Sequence, residues 1–111
     1  MDTVNRYRAI VREVIQEYAR DKPSNGNIDT EAVIDEFKDH YEVKHIGWDG
    51  RKRVHSSIIH LDIINGKIWI QHDGTNRPVA QALMDAGIPK EDIVLAFHPQ
   101  DLRHLTGFAV A

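Results

Sequence analysis

Histidine is the residue type that most invites a chemical reading of this chain. There are seven, His40, His45, His55, His60, His72, His98 and His104, more than the three tyrosines and three phenylalanines together. Imidazole is the commonest metal ligand and the usual acid–base group near neutral pH. His60 and Asp62 are the most site-like pair, because they stand two apart in a run rich in β-branched residues and so share one face of a strand. A metal centre wants three or four converging N and O ligands. The sequence places two, and it contains no HExxH pattern. The pair therefore reads first as a hydrogen-bonded structural or interface pair. The alternative is a metal-dependent hydrolase or nuclease using His60, Asp62 and one further histidine.

Other chemistries find less support. Ser56 and Ser57 follow His55 directly, but strand neighbours point to opposite faces, and no GxSxG elbow is present. Asp35 with Asp39, and Glu91 with Asp92, read as solvated charge. A nuclease centre drawn from Asp49, Lys52 and Asp62 has no defining spacing. Gly47-Trp48-Asp49-Gly50 matches no phosphate loop and reads as a turn with an aromatic anchor. The absence of cysteine excludes disulfides, thiolate catalysis and Cys-based zinc sites. No catalytic residue, metal or cofactor is expected on these grounds. Arg51-Lys52-Arg53 on an expected hairpin tip can contact phosphate, but the net charge is −3, so direct DNA contact should be weak or absent.

The elements that must position these residues are readable. At 111 residues, 41% hydrophobic and 28% charged, the chain is expected to form one globular domain over residues 1–111. No apolar run approaches the ~20 residues that span a bilayer, and Met1 to Arg8 do not resemble a signal peptide, so a cytoplasmic protein is expected. Val4, Tyr7, Val11, Val14 and Tyr18, widened by Ile10 and Ile15, mark an amphipathic helix that Thr3 can cap. Asp21 to Asn27 is turn chemistry. Residues 30–41 fit either a helix with Val33, Phe37 and Tyr41 on one face or a strand from Glu31 to Asp35 with a turn at Lys38–Asp39; the strand is favoured. Strands follow at Tyr41–Trp48, Val54–Ile64 and Lys67–Asp73, the last two joined by Asn65–Gly66, the strongest short hairpin signal. A second short helix is expected after Asp73–Gly74, capped by Thr75 or Asn76 with Pro78 in its first turn, and ended by Gly87. Ile93 to Phe97 reads as a strand, Pro99 to Thr106 as a loop or one helical turn, and Phe108 to Val110 as a last strand. The fold class is α+β: an N-terminal helix, a largely antiparallel sheet of about four to six strands, and a second short helix.

The Asn-Gly turn sets a register in which Ile64 faces Lys67, Asp62 faces Trp69, Leu61 faces Ile70 and His60 faces Gln71. One face then carries Ile59, Leu61, Ile63, Ile68 and Ile70, a core. The other carries Ile58, His60, Asp62, Trp69 and Gln71, too polar for a core and too apolar for plain water. Tryptophan is enriched at interfaces, where it buries a large area while its N–H finds a partner. If a helix covers this face, Trp69 is ordinary core. If both helices take the isoleucine side, the Trp69 face meets another chain, and a self-complementary face suits a two-fold homodimer. Trp69, Trp48, Ile58, His60 and Asp62 are the interface candidates.

Several of these segments also resemble a known family. Tyr7-Arg8 and Tyr18-Ala19 in the first helix, Gly47-Trp48-Asp49-Gly50, Val54-His55, the block His60 to Thr75 (HLDIINGKIWIQHDGT), Gly87 to Pro99 (GIPKEDIVLAFHP) and Gly107 to Ala111 (GFAVA) are similar, in order, to the XisI family. These are controlling factors for excision of the fdxN DNA element in cyanobacteria. The chain departs from the family's more apolar pattern at Glu42 to His45, and residues 21–40 match loosely. The resemblance implies a non-catalytic accessory factor of site-specific DNA recombination, working with an XisH-like companion protein and a separate site-specific recombinase. It carries no catalytic residues to this sequence.

Overall fold

The computed structural model describes residues 2–23 and 26–111. Ser24 and Asn25 of the expected linker lie outside the described residues. Helix α1 runs Thr3–Tyr18. Its cap is Asp2 rather than Thr3: the Asp2 carboxylate accepts from Val4 N at 3.1 Å, so Thr3 is already the first helical residue. The helical period places Tyr7, Val11, Val14, Ile15 and Tyr18 on the buried face.

A five-stranded sheet follows in sequence order, β1 (Asn27–Asp35), β2 (His40–Asp49), β3 (Lys52–Ile64), β4 (Lys67–Asp73) and β5 (Ile93–Leu95). The favoured strand reading of residues 30–41 holds, and β1 begins four residues earlier than expected. Asp35 accepts from the backbone N–H groups of Phe37 and Lys38, both at 3.0 Å, which closes the β1–β2 turn. Strands β1 to β4 form an antiparallel meander, whereas β5 pairs with β4 in parallel. Parallel neighbours need a crossover, and helix α2 (Val79–Asp85) supplies it.

The Asn65–Gly66 turn is as expected: both residues have positive φ, 52° and 76°, and Ile64 pairs with Lys67. The expected register holds to Leu61↔Ile70 and then slips. His60 pairs with His72, not Gln71, because a bulge leaves Gln71 as an extra residue on β4. A second bulge, on β3 opposite Val43 and Lys44, makes Ile58 an extra residue between Ser57 and Ile59. A bulge re-aims side chains. Ile58 accordingly packs against the helix-side core and lines a cleft with Tyr18 and His45, so it does not share the Trp69 face.

Both helices cover one side of the sheet. Tyr41, Val43, Ile59, Leu61, Ile68 and Ile70 from the strands meet the buried face of α1 and Val79 and Leu83 of α2 in one cluster. Each fully buried aliphatic side chain contributes about 1.5–3 kcal/mol. Neither Thr75 nor Asn76 caps α2. Pro78 is the N-cap residue, and it has no side chain that can accept, so the Asp73 carboxylate reaches forward to take Val79 N at 2.8 Å while its other oxygen holds Thr75. Gly87 ends α2 with φ 110°, and Gly87 N and Ile88 N return to Met84 O and Leu83 O. Beyond α2, β5 stops at Leu95 rather than Phe97, because Ala96–Phe97 already turn. Gln100–Leu105 is a 3-10 helix. The expected strand Phe108–Val110 is reduced to one parallel bridge, Val94↔Ala109.

Candidate functional site

Because α1 and α2 both pack on the isoleucine side, the opposite face of the sheet carries no α-helix, and only the 3-10 segment Gln100–Leu105 lies over its Trp69 edge. Strand alternation and the paired registers bring Val33 of β1, His40, Glu42, Lys44, Ile46 and Trp48 of β2, His60, Asp62 and Ile64 of β3, and Trp69 of β4 onto it. Val33, Ile64 and Trp48 are exposed, Trp48 at 49%. Trp69 is half-buried: the guanidinium of Arg103, on the 3-10 segment, lies 5.4 Å from its ring centre. Arg103 is itself held by the carbonyls of Ala96, His98 and Val110. Trp48 is at the far end of β2, about 26 Å from His40 at ~3.3 Å per residue.

At the Trp69 end three chemically able side chains converge. His40 pairs across β2–β3 with Asp62, and His60 lies two residues before Asp62 on the same face. His40 Nδ1 is 2.7 Å and His60 Nε2 is 2.8 Å from the same oxygen, Asp62 Oδ1. Gln71 donates its Nε2 to the other oxygen, Oδ2, at 3.2 Å. Asp62 is the only buried charged residue among those described. A buried carboxylate needs such partners. The hydrogen bond and charge of Asp62 raise the pKa of His40 above its ordinary value. The three donor atoms, all within 4.8 Å of one another, are those that can hold a metal ion.

The sequence put His60 and Asp62 on one face of a strand and named no third residue beside them. His40 joins them only because the extra residue Ile58 on β3 moves its partner from Leu61 to Asp62, although Asp49 and Lys52 close a two-residue turn. Gln71 reaches the site from its bulge position rather than from a place opposite His60.

At the other end, Arg51, Lys52 and Arg53 are exposed at the β2–β3 tip, as expected. Arg53 stacks over Trp48, 5.2 Å to the ring centre, and donates to Gly47 O at 3.3 Å. The arrangement covers part of Trp48 and engages one of the three cations.

The XisI protein family matches this chain over residues 1–110. The crystal structure of the fdxN element excision controlling factor XisI from Anabaena variabilis is similar with a TM-score of 0.85 and 40% identity, covering 99% of this chain and 100% of that one. An XisI-like protein from the same organism superposes with a TM-score of 0.90 at 34% identity, covering 97% and 99%. Comparison with curated protein sequences finds no match. No helix among the described residues is long and apolar enough to cross a membrane. With the family matched over nearly its whole length and the α+β architecture shared, this chain belongs to the XisI family.

Proposed function

We propose that this protein is a non-catalytic regulatory factor of DNA-element excision, acting through protein contacts made by the helix-free sheet face. Its similarity to a named excision controlling factor supports the regulatory role. One observation carries the mechanism: both helices lie on one side, and the other side carries both tryptophans of the chain beside exposed Val33 and Ile64. Apolar side chains set among polar ones on an otherwise solvated face are the composition of an interface. The face is self-complementary in character, with His, Asp and Glu among the apolar groups, and so suits a two-fold homodimer. The dimer then engages an XisH-like companion, and through it a site-specific recombinase. Trp69, Trp48, His60 and Asp62 belong to this surface; Ile58 does not. Arg51 and Lys52 contribute at most weak phosphate contacts, consistent with the net charge of −3.

Sedimentation velocity on the chain alone and mixed with the companion tests the reading. Trp69→Ala should weaken association by about thirtyfold, the effect of a hot spot worth ~2 kcal/mol. Glu13→Arg, on the exposed face of α1 across the molecule, should leave it intact. Equal association by the folded Trp69→Ala variant refutes the assignment of the face.

A further inference from the structure

We infer that His40, His60 and Asp62 form a binding site for a divalent transition metal, with Zn2+ the ion best matched. The inference rests on the geometry of the three side chains and is independent of which protein the face binds.

Two imidazole nitrogens and one carboxylate oxygen are a borderline-soft ligand set, the kind that suits zinc and its first-row neighbours and not Mg2+ or Ca2+. The ligands come from adjacent paired strands, so the sheet fixes the backbone of all three. Asp62 is oriented in advance. Gln71 occupies Oδ2, which turns Oδ1 toward the two histidines. Outer hydrogen bonds of this kind are a regular support of metal ligands. The opposite side is open: the His40 side chain is 56% exposed, leaving room for the ion to enter and for water to complete a tetrahedral shell.

The distances are those of a hydrogen-bonded cluster. Ligands at about 2.0–2.2 Å from a zinc ion stand about 3.0–3.5 Å apart. The present N···O separations are 2.7 and 2.8 Å, so binding requires an opening of roughly half an ångström, within the freedom of the exposed His40 ring. The ion takes the place of the hydrogen bonds now made to Oδ1.

The test uses the full chain, stripped with a chelator, and Zn2+ or Co2+ alone as probe. Titration calorimetry should give one Zn2+ per chain, and Zn2+ should raise the melting temperature. Bound Co2+ should show the visible absorption of a four- or five-coordinate ion. His40→Ala, at an exposed position, should lower the affinity at least tenfold and abolish the melting shift while retaining the circular dichroism of the wild type. Gln71→Ala should weaken binding about tenfold. His104→Ala, an exposed histidine outside the cluster, should change nothing. Absence of calorimetric Zn2+ binding, or equal binding by His40→Ala and the wild type, overturns the inference and leaves the three residues as a hydrogen-bonded cluster. Loss of the site with association intact would leave the interface reading standing, and the reverse result would leave the metal site standing.

Discussion

Gly47 of β2 is paired with Ile28 of β1. A methyl group built there falls 2.1 Å from the Asn27 carbonyl oxygen and 2.8 Å from the Ile28 Cα, both backbone atoms. Ordinary contact begins near 3.4 Å, so about 1.3 Å must be found by moving one strand off the other. Overpacking of this kind costs about 1–3 kcal/mol. The φ of 157° at Gly47 adds about 1–2 kcal/mol of strain for any side chain. Gly47→Ala should therefore cost about 2–5 kcal/mol, a large part of the ~5–15 kcal/mol that holds a domain together. At ~4 °C per kcal/mol for a chain of this size, the melting temperature should fall by about 8–20 °C. Gly50→Ala is the internal reference. Its φ is 63°, and no atom lies within 4 Å of the added methyl, so it should cost only the ~1–2 kcal/mol of left-handed backbone strain. Urea and thermal unfolding of the two variants decide the matter. Equal destabilisation by both would refute the close-approach argument and leave backbone conformation as the whole effect.

Three further outcomes follow from the same geometry. Burial, with a hydrogen bond to Asp92, pushes Tyr7 up to about 12; burial, with a bond to Asp39, raises Tyr41, and burial raises Tyr18. In the unfolded chain tyrosine ionises near 10, so stability is fully present below about pH 10 and is lost between pH 10 and 12. Tyrosinate absorbance should then rise together with loss of circular dichroism, and ionisation of all three tyrosines near pH 10 in a still-folded chain would contradict this. The Arg8 guanidinium bonds both oxygens of Asp39 at 2.9 and 3.0 Å and holds that carboxyl below its ordinary value. A depressed carboxyl stabilises above the ordinary carboxylate range and loses that contribution as pH falls through its folded value. The destabilisation caused by Arg8→Ala should therefore shrink below about pH 4; a pH-independent difference in urea midpoint counts against the ion pair. Asp73→Ala should cost about 1–2 kcal/mol, because Val79 N–H and Thr75 lose their acceptor. Asp73→Asn should cost less, and an Asp73→Ala unfolding curve superposed on the wild type would remove Asp73 as the cap.

The legibility of this sequence follows the range of the interactions. Local signals read well: the α1 stripe, the Asn65–Gly66 turn and the Gly87 stop each depend on residues within one turn or one hairpin. The core face of β3–β4 also read correctly, since alternation and a two-residue turn fix it together. The two bulges did not, because an extra residue leaves no compositional mark; Gln71 and Ile58 look like ordinary alternating residues. The Asp73 cap was missed for a similar reason. It acts over six residues, beyond the spacing of ordinary caps, and Thr75 supplied a nearer candidate. In the site, His60 and Asp62 share a strand and could be paired from sequence, whereas His40 enters only through the β2–β3 register. Arg103 over Trp69 depends on how the 3-10 segment returns to the sheet, which no local pattern encodes.

Tryptophan offers the most direct test, because Trp48 and Trp69 are the only two in the chain and both lie on the helix-free side of the sheet. Acrylamide quenching of their fluorescence should be measured on the chain alone, across a dilution series that spans its association. Protected tryptophans are expected at high concentration, with quenching that rises on dilution along the same curve as dissociation followed by sedimentation. Quenching that stays constant while the assembly comes apart would place the contact elsewhere and contradict the central claim.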